Sequence, residues 1–348
     1  MNWFGYRLAA APLLSAIAAL MLVAPAAYAQ SSASADFYKG KRITMIVGFP
    51  AGNEYDIGAR LLAQHWEKHI PGNPTIVVQN MPNGASIQAA NYVYEQAAKD
   101  GTVIGAITRN IVTSALLGTP GLTADPSKFI WLGGTSFPGR VCVAGKNAAV
   151  QDAAELFAKE LITGAVAPGN STHVLPTVFN SVLGAKFKII QGYKGTADII
   201  LAIERGEVDA VCASWGQFRT STEAFKSGRL KLLFSAEEGV NPEIPDAKSI
   251  YTFAKTEQQK QFMRFVFSTT EYGRPYVLPP DVPAERVAIL RKAFQDAVND
   301  PALIAESAKG KIDMSLRTHE DLEKATKNLY ATPTSLIEDV KKLIPDLN

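Results

Sequence analysis

Four side chains have the chemistry to hold a small anion or attack a small substrate: Arg109, Ser171, His173 and Lys194. Arg109 follows the apolar run at 103–107, and its planar guanidinium suits two parallel bonds to a carboxylate. Ser171 and His173 stand two apart in Asn170-Ser171-Thr172-His173, which suggests a nucleophile and base, yet residues two apart on a helix do not face each other. Lys194, in Tyr193-Lys194-Gly195, could serve as a base or a point charge. His65 and His69 have the i, i+4 spacing of a two-histidine metal site. Glu67 is misplaced for HExxH, however, and no third ligand is evident, so neither metal nor cofactor is expected. GxSxG, Walker A and GxGxxG motifs are absent. The chemistry therefore points to holding an anion rather than turning one over.

The turns around these residues share a composition of small, hydrogen-bonding groups. The first follows a β-branched run at 43–47 and contains Phe49, Ala51, Gly52, Asn53, Tyr55 and Asp56. Gly84 and Ser86 stand in a second, and Trp215 in another. A strand that ends in such a turn and feeds a helix presents free backbone N–H groups and a partial positive charge, the makings of an anion site. Several of these residues have plainer uses: Asp56 suits the cap of its own helix, as do Ser171 and Thr172. Arg140 and Arg219 could line a cleft rim or pair with surface acids.

The elements that must position these turns alternate. Strand-like runs at 43–47, 75–79, 103–107, 130–133, 141–144, 164–167, 187–191, 208–213 and 231–234 are separated by helical patterns at 57–70, 87–98, 153–160, 174–183 and 199–205. That alternation predicts an α/β protein with largely parallel sheets, whose ligand edge is the carboxyl edge. Helices dominate the last third. Val287, Leu290, Phe294, Ala297 and Val298 recur at helical spacing, and Thr318 to Asp321 resembles a capping box.

The 348 residues suit two domains, and a net charge of +2 gives no case for nucleic acid. Arg7, an apolar stretch at 8–23 and Ala27-Tyr28-Ala29 read as a secretory signal peptide over 1–29. The only cysteines, Cys142 and Cys212, could form one disulfide or remain buried thiols.

Taken in order, GFPAG followed by Asp56, then VVQNMPNGAS, KDGTVIGAIT, GNSTH, GYKGTAD and GEVDAV, the chain resembles the periplasmic receptors of tripartite tricarboxylate transporters, the Bug-type receptors, over about residues 40–345. The resemblance implies a two-lobed, type II, Venus-flytrap binding protein, each lobe a mixed, mostly parallel sheet flanked by helices. One lobe would comprise 36–136 and 265–348, the other 137–264. It implies a small carboxylate held between the lobes, permease subunits as membrane partners, and a monomer. By position it assigns Phe49, Ala51, Gly52, Asp56, Gly84, Ser86, Asn170, Ser171, Thr172, His173, Tyr193, Lys194 and Gly195 to ligand loops. Asn53-Glu54-Tyr55, Arg109 and Trp215 depart from the common pattern and suggest a larger or aromatic acid. A secreted hydrolase or lyase, or a receptor feeding a sensor, are the alternative functions.

Overall fold

The computed structural model describes Met1 and residues 36–344, except 137–138, 168–169, 241–243 and 311; at 219, 220 and 222 only the backbone is described. The expected signal peptide, Pro168 and Gly169 of the second-lobe turn, and the Arg219 side chain lie outside the described residues.

Among the described residues eleven strands form two sheets: β1 (Arg42–Val47), β2 (Thr75–Asn80), β3 (Val103–Ala106), β4 (Ile130–Thr135), β5 (Arg140–Gly145), β6 (Leu161–Gly164), β7 (Phe187–Ile190), β8 (Ala210–Ser214), β9 (Leu230–Ser235), β10 (Arg274–Leu278) and β11 (Leu316–Arg317). The first sheet has the order β11-β4-β10-β3-β1-β2, the second β7-β6-β8-β5-β9. In the first, β1 pairs in parallel with β2 and β3, while β10 runs antiparallel between β3 and β4. In the second, β6 pairs in parallel with β7 and β8, while β5 runs antiparallel between β8 and β9. Each sheet thus has three parallel strands, one reversed strand, then a fourth parallel one, and in the first sheet β11 pairs antiparallel with β4 at the outer edge. The inner reversed strands, β5 and β10, are the first that the chain enters after each passage between the sheets. Both begin with arginine, Arg140 and Arg274.

The helices that matter for the site are α1 (Glu54–Trp66), α2 (Ile87–Glu95), α3 (Ile111–Leu117), α4 (Ser171–Val178), α5 (Thr196–Arg205), α6 (Glu257–Phe267), α7 (Ala284–Val298), α8 (Pro301–Lys309), α9 (His319–Tyr330) and α10 (Thr334–Leu343). Their starts follow from local chemistry. Asn53 caps α1 by accepting from the Tyr55 N–H at 2.9 Å, so Asn53 and not Asp56 is the cap. The expected capping box at Thr318 and Asp321 opens α9. Residues 153–160 make only a short 3₁₀ turn, Ala153–Phe157, in place of the expected helix.

Three buried clusters hold the layers together. Leu62 and Trp66 of α1 pack with Leu290 and Phe294 of α7 on one face of the first sheet. Ile199 and Ile203 of α5 cover one face of the second. The remaining cluster is continuous across both lobes, from Val93, Ile107 and Trp131 through Phe265, Phe267 and Tyr272 to Phe179 and Phe234. Apolar packing at the hinge therefore joins the lobes and leaves the gap between the sheet edges for polar groups. His65 and His69 tie α1 to α8, lying 3.0 Å from Glu306 and 3.1 Å from Asp300. Among the described residues no His, Cys, Asp and Glu group is placed to hold a metal.

Cys142 and Cys212 face each other in register on β5 and β8 and are joined in a disulfide, fully buried. The bond closes a loop with a sequence separation of 70, so its removal frees the unfolded chain. Replacing both cysteines with alanine should cost roughly 2–5 kcal/mol in urea unfolding; an unchanged midpoint would contradict this.

Candidate functional site

A cleft of ≈ 490 Å³ lies between the sheet edges, a size ordinary for a small-molecule site. Its wall includes Glu54 at the start of α1, Asn110 just before α3 and Ser171 at the start of α4. Helix starts from both lobes therefore meet at one gap. Arg109, Arg140 and Arg274 line the same gap. Of the residues singled out from the sequence for ligand contact, Arg109 and Ser171 are on this wall.

The first turn builds the support for Arg109. The φ of Gly52 is +81°, a left-handed value that glycine adopts at little cost. The Gly52 N–H donates to Asp56 at 2.9 Å, Asn80 donates to the same carboxylate at 2.8 Å, and Arg60 donates to it at 2.9 Å. Asn80 also donates to the Phe49 carbonyl, which pins the turn to the end of β2. Asp56 is buried and serves the fold of the turn. Burial alone would raise its pKa, but the bonds from Arg60, Asn80 and Gly52 prevail and hold it below the usual carboxylate range. Phe49 stacks on Tyr55 with ring centroids 4.0 Å apart. The Tyr55 hydroxyl then accepts from Arg109 Nε at 2.9 Å, and Glu54 accepts from Arg109 Nη2 at 3.0 Å. Asn53, Glu54 and Tyr55 are therefore cap, counter-charge and brace, in that order. Ala51 and Gly52 are exposed, off the cleft wall.

Ser86 is fully buried, and its Oγ accepts from the Thr108 N–H at 3.1 Å. A Cβ on Gly48 would lie 1.9 Å from that oxygen, so only glycine fits there. Gly84, Ala85 and Ser86 all have positive φ, which brings the hydroxyl under the ends of β1 and β3. Gly84 and Ser86 shape the edge from beneath.

On the other side, Asn170 caps α4, accepting from Thr172 N at 3.0 Å and Thr172 Oγ1 at 2.9 Å. Thr172, buried, accepts in turn from the Val166 N–H. These two residues orient Ser171 into the gap. His173 does not line the cleft beside Ser171. Tyr193 packs against the second lobe's core, Lys194 is exposed, and Gly195 precedes α5, whose Thr196 donates to the cleft residue Gln217 at 2.6 Å. Trp215 packs at a tilt against Phe218 and Phe225, while its neighbours Ser214, Gly216 and Gln217 face the gap.

Arg140 and Arg274 were not expected among the main ligand residues. Arg274 is buried, bonded through Nε to Thr135 Oγ1 at 3.4 Å and through Nη2 to the Asp313 carbonyl. Arg140 donates to Thr269 Oγ1 at 2.9 Å and lies over the Phe267 ring. The charge of the Glu237 carboxylate and the Tyr251 side chain favour its charged form. Burial pushes its pKa down to about 10, and the charge of Arg109 adds to the effect. The sequence signal was an arginine opening each reversed strand. Reading only carboxyl ends of parallel strands misses it, because a reversed strand brings its amino end to the same edge.

Asp56→Asn should destabilise the protein by about 2–3 kcal/mol at pH 7, because charge-assisted bonds to a buried carboxylate are lost. The folded pKa of Asp56 is depressed, so its contribution is present above the unfolded value and is lost as pH falls through the folded one. Urea unfolding at pH 7 and pH 3 should show the gap between wild type and Asp56→Asn narrowing in acid. A gap independent of pH would contradict the assignment. Tyr55→Phe should leave stability within about 1 kcal/mol while loosening Arg109, read as weaker binding of an acid ligand by calorimetry.

No family model matches the chain. A protein of Cupriavidus necator, "UPF0065 protein in gbd 5'region", is 26% identical over 304 residues, 84% of each chain. A TctC solute binding protein from Polaromonas superposes with a TM-score of 0.68 at 18% identity, over 87% of this chain and 99% of that one. An R. palustris protein with adipate superposes with a TM-score of 0.55 at 18% identity, over 88% and 97%. The fold is that of two-lobed α/β periplasmic binding proteins.

Proposed function

We propose that this protein is a periplasmic receptor that captures a small carboxylate in the interlobe cleft and delivers it to the permease subunits of a tripartite tricarboxylate-type transporter. The observation that carries the reading is Arg140. A half-buried guanidinium on the cleft wall, under the like charge of Arg109 and with no ion pair among the described residues beyond the charge of Glu237 acting on it, is suited to receive an anion. The relatives support the same direction: one is a TctC solute binding protein and another was solved with adipate. Capture and release suits the cleft better than turnover, since Ser171 faces the gap without His173 or Lys194 beside it.

Ligand wedged between the lobes favours the closed arrangement by contacting both walls at once, and the closed surface is what a membrane partner reads. The hinge packing lets the lobes move as bodies, so a binding event at the gap becomes a change in shape.

Thermal unfolding against a panel of mono-, di- and tricarboxylates should show at least one acid raising the midpoint with concentration. Arg140→Ala should weaken that acid's binding on the order of tenfold to a hundredfold while the protein stays folded. If no acid moves the midpoint, the reading fails.

A further inference from the structure

The cleft continues into a recess of ≈ 70 Å³ between α3, α4 and α6. Asn110, Arg140 and Ser171 belong to both the cleft and the recess, so they stand at its mouth. Beyond them the walls are Leu117, Val174, Leu175, Phe265 and Val266. The two threonines that reach it are engaged: Thr113 Oγ1 donates to the Asn110 carbonyl at 2.9 Å, and Thr269 Oγ1 accepts from Arg140. The recess therefore offers an apolar interior directly behind a guanidinium.

Charge around the cleft sets how many anionic groups the ligand brings. Three arginines and two carboxylates, Glu54 and Asp313, line it, a surplus of one positive charge. Arg109 is paired with Glu54, and Arg274 is bonded to a backbone carbonyl. Arg140 alone of the three is bonded on the cleft wall to neither a carboxylate nor a backbone carbonyl among the described residues, while the charge of Glu237, off that wall, favours its charged form. Volume sets the rest. A cavity of about 150 Å³ holds benzene, so about half of that holds a chain of about three carbons and excludes a ring.

We infer that the ligand is a monocarboxylate with a short saturated tail, its carboxylate on Arg140 between Asn110 and Ser171 and its tail in the recess behind them. This rests on the carboxylate-receptor reading above and narrows it, against the larger or aromatic acid expected from the sequence. The tail touches helices of both lobes, so it adds to closure as well as to affinity.

Calorimetry with acetate, propionate, butyrate, succinate, citrate and benzoate tests it. Affinity should rise about fourfold per methylene from acetate to butyrate. Butyrate should bind at least about tenfold tighter than succinate, which has the same carbon count but places a second carboxylate among apolar walls. Benzoate should bind more weakly than butyrate, and Leu117→Ala, which widens the recess, should reverse that order. Tighter binding of succinate or citrate than of butyrate overturns the inference and leaves the receptor reading intact. An unreversed benzoate order in folded Leu117→Ala overturns the tail's placement. Failure of every acid overturns both readings.

Discussion

A guanidinium removed from water is stable only if something negative or electron-rich takes the place of the solvent. Arg140, half-buried on the cleft wall, meets that need only in part within the protein, with one threonine oxygen, the face of Phe267 and the charge of Glu237. Arg109 adds like charge from the other lobe's edge. The remaining groups at the gap make sense around this constraint. Glu54 and Tyr55 hold Arg109 in place, and the Thr135 hydroxyl and the Asp313 carbonyl hold Arg274. On the proposed reading, the carboxylate of the ligand completes this cluster.

Topology puts the arginines there. Each sheet has one inner strand running against both its neighbours, and each such strand starts at the edge where its neighbours end. Arg140 and Arg274 occupy those starting positions, while Arg109 follows the end of a parallel strand. Two opposite strand directions thus deliver cations to one place. The continuous apolar cluster at the hinge keeps the two edges facing each other without filling the space between them.

The α/β alternation and the turn chemistry were readable from the sequence because they are local. Period, glycine position and capping residues act within a few positions of themselves, and the Thr318 capping box and the face carrying Leu290 and Phe294 were found that way. Arg109 and Ser171 were readable because they follow strand ends. Arg140 and Arg274 needed knowledge of strand direction, which is a non-local property. Asp56, Asn170 and Thr172 looked like ligand residues because the groups that hold an anion are the groups that hold a turn. Only the bonds Asp56 makes to Asn80 and Arg60, and Thr172 to Val166, separate the two uses. The cysteine pairing likewise waited on register, since Cys142 and Cys212 meet only once β5 lies beside β8.

The central claim is that Arg140 receives the anionic group of the ligand. A crystal structure of the protein with the tightest-binding acid tests it most directly. The account predicts a carboxylate oxygen about 2.7–2.9 Å from an Arg140 guanidinium nitrogen. A bound acid held elsewhere in the cleft, with Arg140 left on Thr269 and Phe267 alone, would contradict it.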